Sequence, residues 1–213
     1  MNARTLIVLL LAAATGCVDN NASITISAAC FPPTPNDDGS CSYPAACDSV
    51  MLGNLWVDTT YVPSGGTLVW PFQLDNQRPS NATADGSTNT ATAYVTGYKF
   101  KYSSSTVSIP DASVIWTTQT VQAAGTRVVA IPVIPSAVAT LLSGSPGMLA
   151  EVSVEIRATG HYGDGQIFET GPFSVVVNVE NGAGAGGFCA DPATPTLIGA
   201  CPQLGQTSVV LCK

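Results

Sequence analysis

Cysteine is the residue type that offers the most chemistry in this chain. The seven cysteines are Cys17, Cys30, Cys41, Cys47, Cys189, Cys201 and Cys212. A thiol can ligate a metal, join a disulfide or carry a covalent lipid. Zinc modules usually place cysteines in closely spaced CxxC pairs, and no such pair occurs here. The spacing therefore predicts disulfide and lipid chemistry, with no metal site and no cofactor.

The segment before Cys17 has the three parts of an export signal. Arg4 supplies a positive charge, residues 6–14 (LIVLLLAAA) form an apolar run, and the small residues Ala14-Thr15-Gly16 precede the cysteine. A run of nine apolar residues is far shorter than the roughly 20 that cross a bilayer, so we expect a cleaved signal over residues 1–16. Cleavage after Ala14 by an ordinary secretory enzyme is the alternative.

This segment resembles a bacterial lipoprotein signal peptide with its lipobox, although Ala14 stands where leucine is commonest. The resemblance implies cleavage before Cys17 and attachment of a diacylglycerol to its thiol. Two acyl chains hold a protein to a membrane far more firmly than one. Because residue 18 is valine rather than aspartate, we expect the outer membrane as the location, on its periplasmic or surface face. No later segment is apolar enough to span a bilayer, so the anchor is the only membrane contact expected.

Counting the cysteines supports lipid attachment at Cys17. Seven is an odd number for an oxidising compartment, whereas six remain to form disulfides once Cys17 carries a lipid. Six cysteines allow 15 pairings. Short loops favour the pairs Cys41–Cys47 and Cys189–Cys201, which leaves Cys30–Cys212 as the third.

The charge balance excludes one class of partner. Without residues 1–16 the chain has six Lys and Arg against 14 Asp and Glu, a net charge of −8. Nucleic acid binding depends on neutralising phosphates with cations, so we expect no nucleic acid partner.

Alternating hydrophobicity predicts at least four strands. Apolar side chains share one face in 68–74, 94–102, 152–156 and 173–179. In the second of these, Tyr94, Tyr98, Phe100 and Tyr102 share the inner face. Weaker strands are expected near 55–61, 114–118 and 127–133, a short helix at 136–142, and a hairpin tip at Asp164-Gly165.

About seven strands without a long helix predict an all-β fold. We expect an immunoglobulin-like antiparallel β-sandwich over residues 51–180. Residues 17–50 then form a lipid-anchored tether with cysteines, and residues 181–213 a Gly-rich link and a cysteine-bearing tail. The fold thus carries disulfide-bearing flanks at both ends.

Few residues offer catalysis. The single histidine, His161, lies beside the predicted hairpin tip, where we expect it to be an exposed loop residue. Glu151 and Glu155 fall on the solvent face of their strand, as solubilising charges do. We therefore predict no catalytic residues and no enzymatic activity.

With these residues in view, the chain resembles a group of uncharacterised exported lipoproteins of myxobacteria and their relatives. The likeness rests on Val-Ile-Pro-Ser at 133–136, Thr-Gly-Pro-Phe at 170–173 and Gly-Gln at 205–206 before Cys212. The group usually carries an acid after the Gly-Gln pair, whereas Thr207 follows here. The resemblance implies a β-sandwich and a cell-surface location, and no particular activity.

Together these patterns favour a non-catalytic protein of the cell envelope with a structural or interaction role. The alternative is a ligand-binding or adhesive module that recognises a glycan, a peptide or an envelope partner. Its contacts would be exposed aromatic side chains near the loops, namely Tyr61 and Tyr162.

Overall fold

The chain is built almost entirely from β-strands. The computed structural model describes residues 23–31, 45–51, 54–58, 67–81, 89–142, 149–180, 196–198 and 209–211. Its elements are β1 (Ile24–Ala29), β2 (Leu55–Asp58), β3 (Leu68–Asn76), β4 (Ala93–Ser104), β5 (Ala112–Val121), β6 (Gly125–Ile134), α1 (Ser136–Leu142), β7 (Leu149–Tyr162), β8 (Ile167–Glu169), β9 (Phe173–Glu180), β10 (Thr196–Ile198) and β11 (Val209–Leu211).

Two main sheets form a β-sandwich. The small sheet has the strand order β1-β3-β6, and the large sheet has the order β2-β9-β7-β4-β5, with β8 beside the end of β7. Neighbouring strands are antiparallel except β2 and β9, which run parallel. Strands β10 and β11 form a separate two-stranded sheet. The predicted all-β sandwich is confirmed.

The alternating positions of both sheets meet in one core. In β3, the predicted inner residues Leu68, Trp70, Phe72 and Leu74 are all buried. Phe72 contacts Phe173 of the opposite sheet edge to face, with ring centroids 5.8 Å apart. The Tyr102 hydroxyl of β4 donates a hydrogen bond to the Val133 carbonyl of β6 over 3.1 Å. Burial raises the pKa of Tyr102, and Asp111 adds to the shift, so the hydroxyl remains a donor.

Strand β4 departs from simple alternation at one point. Its pairing with both neighbours shifts register between Val95 and Gly97, which is the mark of a β-bulge. An extra residue exchanges the two faces, so Val95 and Tyr98 both point inward. The prediction that Tyr94 shares the inner face is therefore wrong, because its side chain lies on the outer face against His161.

Gly160 makes this bulge possible. It lies opposite Val95, and a Cβ atom there would stand 2.0 Å from the Tyr94 carbonyl oxygen and 2.8 Å from the ring of Phe168. Only glycine fits so close an approach of two backbones.

The first strand begins earlier than the sequence suggests. Residues 17–50 were expected to be a tether, but β1 lies within that span and pairs with β3 from Ile24↔Asn76 to Ala29↔Phe72. The sandwich thus starts at Ile24 rather than at residue 51. Ile24 and Ile26 are buried in the core and hold β1 there. Two alternating isoleucines among polar residues are too short a pattern to predict a strand.

A disulfide joins Cys30 to Cys47, with Cα atoms 5.3 Å apart. The predicted pairs Cys41–Cys47 and Cys30–Cys212 are therefore wrong, whereas Cys189–Cys201 falls outside the described residues. The prediction assumed that short loops decide which cysteines pair, whereas the position of Cys30 is set by tertiary contacts. Its amide donates to Pro71 and its carbonyl accepts from the Trp70 indole, both over 2.9 Å. Phe31 and Met51 extend this contact to the segment around Cys47.

The predicted helix is confirmed as α1, with Val138 and Leu142 turned into the core. It begins at Ser136 itself, and the amides of Val138 and Ala139 bond to the Pro135 carbonyl. Within the described part of the chain, no helix has the length and apolarity needed to span a bilayer. The hairpin at Asp164-Gly165 is confirmed too, with Gly165 at a φ of 84°.

Two glycine-to-alanine substitutions should separate steric collision from backbone strain. Gly160→Ala forces a carbonyl and a ring apart and should lower the free energy of unfolding by about 3 kcal/mol or more. Gly165→Ala meets open space, and only its positive φ opposes it, for a loss of about 1–2 kcal/mol. Urea denaturation measures both. Equal losses would show that Gly160 does not set the bulge.

Replacing both Cys30 and Cys47 by alanine should lower the free energy of unfolding by roughly 3 kcal/mol, because their 17-residue separation fixes the entropy that the cross-link removes. The matched control is Cys41→Ala, which leaves this cross-link intact. Peptide mapping without reductant should recover residues 30 and 47 on one cross-linked peptide. A peptide pair joining Cys41 to Cys47 would contradict the observed pairing.

Candidate functional site

The outer face of the large sheet carries a charged groove of about 320 Å³. Strands β4, β5, β7 and β8 position its side chains, and α-carbon pairing places them in adjacent rows. We use the name charged groove for the following residues: Lys99, Lys101, Asp111, Ser113, Glu155, Arg157 and Glu169. The inner positions of these strands belong to the core, so the side chains at the alternate, outer positions form the groove.

Glu169 forms ion pairs with two neighbouring cations of the groove. Lys99 and Arg157 lie directly opposite each other in β4 and β7, an arrangement that repels. One Glu169 oxygen lies 2.6 Å from the Lys99 ammonium, and the other lies 3.7 Å from the Arg157 guanidinium. The β7–β8 hairpin brings Glu169 to this position by pairing it with Thr159.

Arg157 is held by a second acid on its own strand. Its Nε and Nη2 atoms both lie 3.0 Å from one oxygen of Glu155, two residues away. Both glutamates of the groove are thus partners of cations. Lys101 lies opposite Glu155 in the register and is exposed, and among the described residues it makes no ion pair.

This arrangement offers a cation to a charged ligand. Lys101, Ser113 and Asp111 all line the groove, and both glutamates are paired with cations. A carboxylate of a peptide or an acidic sugar matches an exposed ammonium, and a hydroxyl can donate a hydrogen bond to it. The groove can therefore accept a ligand with at least one negative charge.

The structure places His161 in a strand rather than in the expected loop. It lies near the end of β7 and is exposed, as predicted. Its ring stacks on Tyr94 with centroids 5.3 Å apart, and its Nδ1 atom is 3.1 Å from the Tyr162 carbonyl oxygen. The stacking partner is available only because the bulge turns Tyr94 outward.

Tyr162 is not an exposed contact. Its side chain is 1% exposed, so its predicted role in binding a ligand is wrong. Burial raises the pKa of its phenol. Tyr61, the other aromatic contact proposed from sequence, lies outside the described residues.

Arg78 links the hairpin tip to the rest of the sandwich. Its guanidinium lies over the Tyr162 ring, 4.5 Å from the centroid, and one nitrogen is 2.6 Å from an Asp164 oxygen. A hydrogen bond from the Gln166 amide lowers the pKa of Asp164, and the contact with Arg78 lowers it further. The acid at the tip is therefore a paired carboxylate at neutral pH.

Cys17, Cys41, Cys189, Cys201 and Cys212 fall outside the described residues. Within the described ranges, no three His, Cys, Asp or Glu residues come together as a metal site would require.

No sequence pattern predicts that these side chains form one groove. The outward direction of Lys99, Lys101, Glu155 and Arg157 follows from alternation, but their adjacency does not. It depends on β4 and β7 being neighbours, which no local signal in one sequence encodes.

No protein-family model matches the chain, and a search of curated proteins found no match. Among solved structures, the chain is similar to the solution structure of a protein provisionally named late embryogenesis abundant (LEA). The identity is 13% and the TM-score is 0.40, over 83% of this chain and 85% of the other.

Proposed function

We propose that the protein is a non-catalytic lipoprotein of the cell envelope with a structural or interaction role. It is exported by residues 1–16, carries a diacylglycerol on Cys17 and is held at the outer membrane. In this role the sandwich is a compact body displayed on a lipid anchor, and its outer face meets partners.

The observation that carries this proposal is the short sequence separation between Cys17 and the first strand. Only residues 18–23 separate Cys17 from Ile24, where β1 begins its pairing with β3. Such a connection reaches at most ~25 Å when fully extended. A cysteine that follows an export-type segment and stands this close to a rigid domain is suited to hold that domain at a membrane surface.

The pairing of the charged groove supports a non-catalytic role. General acid and base catalysis needs a carboxyl group that can exchange a proton with a substrate. Glu155 and Glu169, two of the three acids that line the groove, are instead paired with Arg157 and Lys99. His161, the single histidine of the chain, is stacked on a tyrosine.

The anchor can be tested by expressing the full chain in a bacterial host together with its Cys17→Ala variant. We expect the intact mass of the detergent-extracted protein to correspond to a chain that starts at Cys17 and carries a diacylglycerol. Because two acyl chains supply the attachment, Cys17→Ala should move most of the protein out of the membrane fraction.

An N-terminus at residue 18 or earlier without added lipid mass would contradict the proposal, as would a Cys17→Ala variant that stays bound. A Cys41→Ala variant is the matched control, because it removes a thiol and leaves the lipobox unchanged.

A ligand-binding module is the second candidate, and the unpaired Lys101 favours it. In this function the charged groove takes a carboxylate-bearing glycan, peptide or segment of an envelope protein. Charge reversal at an interface that pairs opposite charges commonly weakens binding by tenfold or more.

We expect arrays of acidic glycans and peptides to identify a ligand whose affinity falls about tenfold or more in Lys101→Glu. Arg127→Glu is the matched control, since Arg127 is an exposed cation on the small sheet. Equal affinity of the two variants would exclude the groove as the binding site, and titration calorimetry of each variant measures the difference.

A further inference from the structure

One end of the sandwich gathers the N-terminal end of β1 and the hairpin tip. Ile24 pairs with Asn76, and the Gln77 amide donates to the Ser23 carbonyl over 2.7 Å. Arg78, the next residue, bonds to Asp164 at the tip of the β7–β8 hairpin. We call this the anchor end, formed by residues 23–24, 76–78, 122–125 and 162–167.

An exposed apolar residue stands at the anchor end. Ile167, the first residue of β8, is 83% exposed, an unusual state for a large aliphatic side chain. It pairs with His161, which pairs with Tyr94 and stacks on it. Cross-strand partners share a face, so these three residues form one continuous surface, the Tyr94–His161–Ile167 patch.

The charges at the anchor end do not oppose a lipid surface. Glu169, two residues after Ile167, is paired with Lys99, and Asp164, three residues before Ile167, is paired with Arg78. Asp75 lies in the small sheet, on the other layer of the sandwich, and accepts a hydrogen bond from Gln73 over 2.9 Å. Isoleucine favours the apolar boundary of a bilayer, and tyrosine favours its headgroup region.

The length of the connection between Cys17 and Ile24 favours a membrane as the partner of the patch. Strand β7 has 14 residues and spans roughly 45 Å, so the two ends of the sandwich are far apart. The connection from Cys17 reaches at most ~25 Å and joins the fold at the anchor end. A membrane that holds Cys17 is therefore within reach of the patch, whereas α1 follows the opposite ends of β3 and β6.

From this placement we propose that the Tyr94–His161–Ile167 patch is a second membrane contact, which dips into the headgroup region of the bilayer that carries the anchor. The proposal rests on the lipid attachment argued above. It replaces the expectation that the lipid is the only membrane contact, and it assigns the sandwich an orientation with the anchor end toward the bilayer and α1 away from it.

The test uses full-chain protein, processed in a bacterial host and placed in vesicles of phosphatidylethanolamine and phosphatidylglycerol, with or without dibrominated acyl chains. Ile167→Trp retains a large apolar side chain at the patch. Leu141→Trp is the matched control, because Leu141 is 48% exposed on α1 at the far end. Both variants share the same native tryptophans. We expect the brominated lipid to quench the added emission in Ile167→Trp and not in Leu141→Trp.

A second measurement does not depend on tryptophan. Burying one isoleucine favours the contact by roughly tenfold or more. Ile167→Ser should therefore lower the vesicle-dependent hydrogen-exchange protection of residues 163–167 by about that factor. Because Ile167 lies outside the core, the Ile167→Ser variant should fold as the unchanged chain does. Hydrogen-exchange protection of the β3 amides verifies this.

The outcomes separate this proposal from the anchor. Protein with the lipid mass on Cys17 but without selective quenching in Ile167→Trp overturns the patch and leaves the anchor intact. Protein without lipid mass overturns both. A spectral shift that grows with protein density in unbrominated vesicles, without quenching, indicates contact between copies of the chain and overturns the lipid contact.

Discussion

Mutual burial of two inner faces is the constraint on which the rest of this structure depends. Phe72 and Phe173 meet across the sandwich, and the Tyr102 hydroxyl bonds to the opposite sheet at Val133. Because every second residue is committed to this core, polar side chains are confined to the outer positions, the strand ends and the turns. The charged groove on the large sheet is a direct consequence. Its cations and acids are adjacent because the core fixes which strands are neighbours.

Polar groups that enter the interior are tied to backbone atoms. Asn76 is buried at the anchor end, where its amide nitrogen donates to the Ala91 and Val121 carbonyls over 2.9 and 3.2 Å. Its side-chain oxygen accepts from the Arg78 amide over 3.1 Å. Satisfied polar groups of this kind tolerate burial, and they specify how segments pack. Asn76 thereby fixes the loop before β4 and the end of β5 against β3, and it positions Arg78 for its contact with Asp164.

The same packing gives the proposed function its geometry. Strand β1 enters the core with Ile24, so the connection to Cys17 is short and emerges beside the hairpin tip. In the proposed arrangement the anchor end would face the bilayer. Lys101, farther along the same outer face, would then remain free to meet partners.

Much of the fold could be predicted because alternation is a local property. The inner faces of β3, β7 and β9, the helix α1 and the hairpin at Gly165 all follow from residue types within a few positions of each other. The outward direction of Tyr94 could not be predicted in this way. It depends on a bulge that Gly160 permits from another strand, about 65 residues away in sequence.

The cysteines and the groove show the same limit. The sequence by itself determined a β-rich chain with six cysteines after Cys17 and charges on solvent-facing positions, and it predicts an export signal. Only the tertiary structure decided that Cys30 pairs with Cys47, that β1 belongs to the sandwich and that Lys99 faces Arg157 beside Glu169. The reason is physical: alternation and turn preferences act between neighbours along the chain, whereas strand order and disulfide pairing are selected by the burial of distant segments against each other.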